Sequence, residues 1–443
     1  MELDPLVLSR IQFALTVGFH FLFPPLTIGL SWLLVLLEWR GWRRGDDDYV
    51  RAGKFFGKIL ALTFAVGVAT GIVMEFQFGT NWAEYSKYVG DIFGAPLAAE
   101  GVFAFFLESA FLGLYLFGRE RVSKGTHWFA CLMVAVGATI SAFWILVANS
   151  WQQTPQGFEI HAGRAELTSF WAAVFNPSTL ERFFHTLAAC WVAGALLMAG
   201  VSAYLVLRNR EVQVARKSLR LALIVGFFAS VASLFPTGHE HARQVARTQP
   251  EKFAAMEGLL HGQTGAPLVV FGKPSGAPPK VEYVFQIPGM LSWLAYGNPD
   301  VRIQGIYDLE AEGHPTPPFV ATFASFHTMV GLGLLFIALT ATGMVLLLRK
   351  RLYERRWYLK LLIWAIPFPL IACQFGWMVA EIGRQPWVVF GLLKTQDAHS
   401  GNVTGAEVLF SVIMFGLVYL ALGVLYVYVL VRKIRRGPAA VPA

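Results

Sequence analysis

The sequence predicts an all-α, polytopic membrane helical bundle of about nine transmembrane helices, with the N-terminus outside and the C-terminus cytoplasmic. Three observations predict it. Of the 443 residues 56% are hydrophobic and 14% charged, and the mean hydropathy is +0.53, more apolar surface than one soluble core can bury. The apolar residues collect in runs of about 20 or more, the length that crosses a bilayer as a helix. Lys and Arg cluster in every second connection between the runs, which marks those connections as cytoplasmic.

In chain order the runs lie near 11–38, 56–78, 96–118, 127–150, 184–207, 219–237, 319–348, 358–381 and 405–431. Arg40, Arg43, Arg44, Arg51 and Lys54 follow the first, Arg119, Arg121 and Lys124 the third, and Arg208, Arg210, Arg216 and Lys217 the fifth. The alternation continues after the seventh with Arg349, Lys350, Arg351, Arg355 and Arg356, and after the last with Arg432, Lys433, Arg435 and Arg436. The start, MELDPLVLSR, is acidic and has no basic n-region, and no small-residue cleavage site follows, so the first run is expected to be retained as a helix.

The one long connection, 238–318, falls on the outer side and is too long for a turn at roughly 80 residues, which predicts a lid or binding segment. The chain therefore divides at 1–237, 238–318 and 319–443. The formal charge of +8 and pI of 9.4 form no continuous basic stripe, so no nucleic-acid partner is expected. Cys131, Cys190 and Cys373 stand in three separate apolar runs without a C-x-x-C pair, as small buried hydrophobes do. His239 and His241, in GHEHARQ, could bind a metal, but they have no clear ligand spacing and are expected in a solvated loop. No P-loop, G-x-S-x-G or H-E-x-x-H stretch occurs.

Polar side chains in the runs carry the functional signal. With the predicted orientation His20, Glu100, His185, Met329 and Glu381 all fall in the outer half of the bilayer. Glu108 lies about 12 Å deeper than Glu100, and eight residues is close to two helical turns, so the two carboxylates share a face suited to passing protons inward. Glu381 closes its run in EIGRQPW, either as a helix-end acid paired with Arg384 or as a functional group. Taken alone, His20 and Met329 read better as packing residues, and Glu100 and Glu108 equally well as packing or function. Together, imidazole, thioether and carboxylate at one depth form a donor set for haem iron.

Several long stretches, in order, resemble the large haem-bearing subunit of cytochrome bd type quinol oxidases. They are LSRIQFALTVGFHFLFPPLTIGL, GVATGIVMEFQFGTNWAEYSKYVGDIFGAPLAAEGVFAFFLES, SAFWILVANSWQQTP, RFFHTLAA and GWMVAEIGRQPW. The resemblance implies His185 and Met329 as axial ligands of a low-spin haem b, His20 on the oxygen-reducing haem and Glu381 on a high-spin haem b. It places Glu100 and Glu108 in the high-spin pocket and its proton path, and Trp377 and Arg384 beside the haems. The third haem is implied to be haem d or a further haem b. QPEKFAAMEG resembles the quinol-binding segment, which carries Lys252 and Glu257 onto quinol oxidation. Two departures stand out. His327 occupies a position, two residues before Met329, where many relatives have Arg, and the outer loop is short, as in the branch that includes cyanide-insensitive oxidases.

The expectation is thus a subunit of a bacterial cytoplasmic (inner) membrane oxidase that takes electrons from quinol at the outer face and reduces oxygen to water without pumping. The resemblance implies a second helical subunit and a very small accessory one. The alternative from another class is a cofactor-free, proton-coupled transporter whose buried Glu and His residues form a relay.

Overall fold

The computed structural model describes residues 3–276 and 278–439; Ala277 and the chain ends, residues 1–2 and 440–443 of the first and last regions, lie outside the described residues. Among the described residues nine helical stretches are long and apolar enough to cross a membrane, and the fold is the expected helical bundle. The first stretch is not one helix. α1 (Pro5–His20) starts on Asp4, whose carboxylate accepts from the Leu6 amide at 2.8 Å, with Pro5 in the first-turn position where its missing N–H costs nothing. It stops at His20, and α2 (Pro24–Arg44) begins after Phe21–Phe23, because Pro24 and Pro25 can start a helix but not continue one. α3 (Asp47–Thr80) then packs along both halves.

The third stretch also differs from the apolar run that announced it. It begins at Ala83, well before residue 96, as α4 (Ala83–Ala99), passes through a π-helical segment, Glu100–Phe105, and ends as α5 (Phe106–Phe117). The fourth span is α6 (Lys124–Gln153). A hairpin of β1 (Phe158–His161) and β2 (Arg164–Leu167) and the short α7 (Phe170–Val174) lead to α8 (Thr179–Leu207). The sixth stretch is α9 (Val212–Leu234) continued by α10 (Thr237–Thr248). The last three are α14 (Phe319–Leu348), α15 (Arg356–Trp364) with α16 (Phe368–Ile382), and α17 (Gly405–Arg436); α12 and α13 belong to the long connection.

α8 is the central pillar and α17 the rim: 83% of the most apolar stretch of α8 is buried within the subunit, against 11% for α17. Lipid tails are as apolar as Leu, so close contact rather than exclusion of water holds such helices together. The tightest crossing is between α2 and α8 at Gly29 and Gly194. A Cβ on Gly29 would lie 2.0 Å from the Cys190 carbonyl oxygen and one on Gly194 2.3 Å from the backbone of Gly29, so only glycine fits at either place. At the end of the bundle where the basic clusters gather, Lys217 of α9 holds Asp46 and Asp48 at 2.7–2.8 Å, and buried Glu38 pairs with Arg119 and with the Tyr115 hydroxyl, 3.0 Å away.

The long connection is a folded cap on the opposite end. It contains α11 (Pro250–Glu257), β3 (Gln263–Thr264), the hairpin β4 (Leu268–Ser275) and β5 (Lys280–Ile287), α12 (Met290–Tyr296), β6 (Arg302–Ile303) and α13 (Ile306–Ala311). Phe253, Met256, Leu259, Leu291 and Ile303 form its own small core, which includes Val379 of α16. His327 of α14 ties the cap down, one ring nitrogen 3.0 Å from the carbonyl of Val269 on β4 and the other 3.0 Å from that of Phe323.

Candidate functional site

The site is assembled where α1, α6, α8, α16 and α11 meet beneath the cap. His20 stands at the break between α1 and α2. Its Nδ1 is 3.0 Å from the Thr70 hydroxyl on α3, and that hydroxyl also lies 3.0 Å from the carbonyls of Val66 and Gly67. Because the hydroxyl proton goes to a carbonyl, the Thr70 oxygen accepts from Nδ1–H, which leaves Nε2 of His20 with its lone pair free. A histidine ligand to a metal is oriented in this way. Gly71 keeps the space beside the ring: a Cβ there would lie 3.2 Å from His20 Cε1.

Phe21, next in the chain, meets Trp377 of α16 edge to face at 5.0 Å, and the Arg182 guanidinium of α8 lies 6.0 Å from the centre of the Trp377 ring. One turn along α8 is His185, whose Nδ1 is buried without a hydrogen-bond partner. Met329 of α14 reaches α16 at Gly376, where a Cβ would lie 3.1 Å from its sulfur. A histidine of α8 with an orphaned buried nitrogen and a thioether of α14, two helices that both pack on α9 and α16, are donors of the low-spin type.

Glu381, the acid of EIGRQPW, is held on both oxygens. Arg384 donates to Oε2, and Asn149 of α6 donates to Oε1 at 3.1 Å. Asn149 in turn accepts from Arg182, and Arg384 reaches Gln152 of α6 at 2.7 Å. Helix-end pairing and a ligand role are therefore compatible, since each carboxylate oxygen keeps a second acceptor position.

Lys252 enters from the cap. Its ammonium nitrogen bonds Gln249 at 2.8 Å and Gln153 of α6, and its stem lies over Gly383, where a Cβ would come within 3.0 Å. Burial first, then the charges of Arg182 and Arg384, push its pKa well below the usual lysine range. Glu257 is on the same helix, but five residues turn it about 140° away, so the two side chains leave α11 on different faces. Burial raises the Glu257 pKa to about 8, and its Oε2 has no hydrogen-bond partner.

Glu100 and Glu108 both turn to α6. Ser141 donates to Glu100 at 2.7 Å, and Gly137, one turn away, allows the backbone at Glu108 to approach so closely that a Cβ would lie 3.1 Å from it. On a regular α-helix eight residues overshoot two turns by about 80°; the π segment between them absorbs one residue and brings the two acids nearly into phase.

Several site residues escaped the sequence reading. Thr70, Asn149, Gln152 and Gln153 are ordinary polar residues until a helix neighbour gives them a partner. Arg182 carried a usable signal, a cation at the start of an apolar run and three residues before His185. His241 was expected in a solvated loop; the HEHAR stretch is helical, and the His241 ring centre lies 5.5 Å from that of His185. Glu75 of α3, in MEFQFG, lies close enough to Glu100 for their charges to interact.

Donors of haem-ligand type on four helices of an apolar bundle, one of them, Glu381, held in a buried network with Asn149, Arg182, Arg384 and Gln152, define a polytopic membrane redox protein. Residues 8–438 match the family described as cytochrome bd terminal oxidase subunit I. Over 98% of its length the chain is 42% identical to the cytochrome bd ubiquinol oxidase subunit 1 of Bacillus subtilis, of which 94% is covered. It is 37% identical to the cytochrome bd-II ubiquinol oxidase subunit 1 of Escherichia coli, with 99% and 98% of the two chains covered. That alignment runs over 503 positions, more than the 443 residues of this chain, so the Escherichia coli relative carries insertions. The solved bd oxidase of Geobacillus thermodenitrificans superposes with a TM-score of 0.92 at 31% identity, covering 99% of this chain and 100% of that one. The chain belongs to the cytochrome bd terminal oxidase subunit I family: it is a subunit of a haem-containing membrane quinol:oxygen oxidoreductase that works with a second subunit. The transporter alternative is set aside by this membership.

Proposed function

We propose that the cap end faces the outside, that quinol is oxidised there between α11 and the end of α16, and that oxygen is reduced at a paired high-spin site below. The observation that carries this reading is that α6 serves both ends of the site: Gln153 meets Lys252, while Asn149 meets Glu381 and Arg182, and Arg182 faces Trp377, which packs on Phe21 beside His20. His185 and Met329 would hold a low-spin haem b, Glu381 a high-spin haem b, and His20 the third haem, d or b. Bound there, the haems supply one-electron transfer and oxygen binding.

The protein's own groups do the rest. Lys252, whose depressed pKa favours the neutral amine, orients a quinol hydroxyl and accepts a hydrogen bond from it. Arg182 and Arg384 neutralise negative charge around Glu381 and the carboxylates of bound cofactor. Glu108 and Glu100 take protons from the basic, cytoplasmic end toward the oxygen site, so charge separates across the membrane without pumping. The complex would sit in a bacterial inner membrane, with a second helical subunit and a very small accessory one. The uncovered apolar rim of α17 suits contact with lipid or with such a partner. The test is Lys252→Met, which keeps chain length but removes the amine: quinol-driven oxygen uptake should fall at least tenfold with the haem spectrum unchanged. Unchanged uptake would remove Lys252 from the quinol site.

A further inference from the structure

Oxidising a quinol breaks two O–H bonds and releases two electrons and two protons; the electrons leave toward the haems, and the protons must leave separately. Resting on the quinol site proposed above, we infer that Glu251 and His314 form the proton exit from that site to the water outside the cap. Glu251 precedes Lys252 on α11 and lies close enough for their charges to interact. Its carboxylate is divided between two environments. Oε2 is buried and has no hydrogen-bond partner, while Oε1 lies 2.7 Å from Nδ1 of His314. The Glu251 side chain is 8% exposed and that of His314 46%, so the pair leads from the interior to solvent within two side chains.

His314 sits on the segment between α13 and α14, and its contact with Glu251 brings that segment against α11. The acids nearest it in the chain are occupied elsewhere, Glu310 with Thr316 at 2.7 Å and Glu312 with Gln304 at 2.8 Å. Glu251 is therefore the carboxylate this ring serves. In each transfer the carboxylate takes up one quinol proton and becomes the neutral acid. It passes a proton to the imidazole, and the imidazolium loses one to water from its exposed side. Both groups return to carboxylate and neutral ring, and no electron passes through them. A purely structural ion pair would hold the segment in place but would not need a histidine with one side to water.

The test compares Glu251→Gln, His314→Ala and Glu257→Gln in the intact oxidase, with a soluble quinol, following oxygen uptake and, in proteoliposomes, proton release. Because His314 is half exposed, its truncation should leave the haem bands intact. Both exit variants should lower kcat at least tenfold with little change in KM, and added imidazole should restore His314→Ala but not Glu251→Gln. If both turn over as the parent does while Glu257→Gln is slow, the exit is elsewhere and the quinol site stands. If all three are normal, the exit and the quinol site fall together. Loss of kcat in His314→Ala that imidazole does not restore would make the pair structural and overturn the proposal.

Discussion

Arg384, just beyond the end of α16, gives one amino group to Glu381 a turn behind it and the other to Gln152 of α6, 2.7 Å away. The planar fork of guanidinium serves two partners at once, so the acid is fixed against α6 as well as neutralised. Arg384→Lys keeps the charge but not the fork. We expect it to weaken the high-spin haem b signal while sparing the low-spin haem, checked in the absorption spectrum of the purified complex. A wholly normal spectrum would mean that charge alone suffices.

Thr70 is predicted to matter through His20. Thr70→Val keeps the shape but removes the acceptor that holds Nδ1–H, so Nε2 is no longer fixed as the free nitrogen. Loss of such an orienting partner costs about 10–100-fold in metal affinity. The haem assigned to His20 should be underoccupied on pigment extraction, with the low-spin band at parental strength.

Glu257 sets a pH dependence. Its pKa, raised by burial to about 8, keeps it a neutral acid below that pH and a proton acceptor above it. Quinol turnover should therefore rise as pH passes through about 8, and Glu257→Gln should lose that limb. Stability moves the opposite way. The folded state holds this proton more tightly than the unfolded chain, so this residue's contribution declines as pH rises from the ordinary carboxyl range through about 8. A thermal melt of the Gln variant that still showed the full decline would assign it to another group.

The spans were legible because apolar length and basic clustering are properties of the chain itself. Their interruptions were only partly so. Pro24 and Pro25 announce the break after His20, but a continuous apolar run hides it. The π segment after Ala99 has no residue signal, because a π turn is chosen by what packs against the helix. His20, His185, Met329 and Glu381 are proposed as ligands from the resemblance and from their chemical type. Their supporting residues, Thr70, Asn149, Gln152 and Arg182, acquire meaning only when α3, α6, α8 and α16 lie side by side. The separation of Lys252 from Glu257 follows from helix geometry applied to α11, whose extent the sequence left open.

The central proposal is that His185 of α8 and Met329 of α14 would hold the low-spin haem. Met329→Leu removes the sulfur donor and nearly preserves volume, so the helices should still pack. The reduced-minus-oxidised absorption spectrum of the purified complex should then lose the low-spin α-band, retain the high-spin bands, and show no reduction by quinol on the parental timescale. A low-spin band of unchanged position and strength in Met329→Leu would contradict the account.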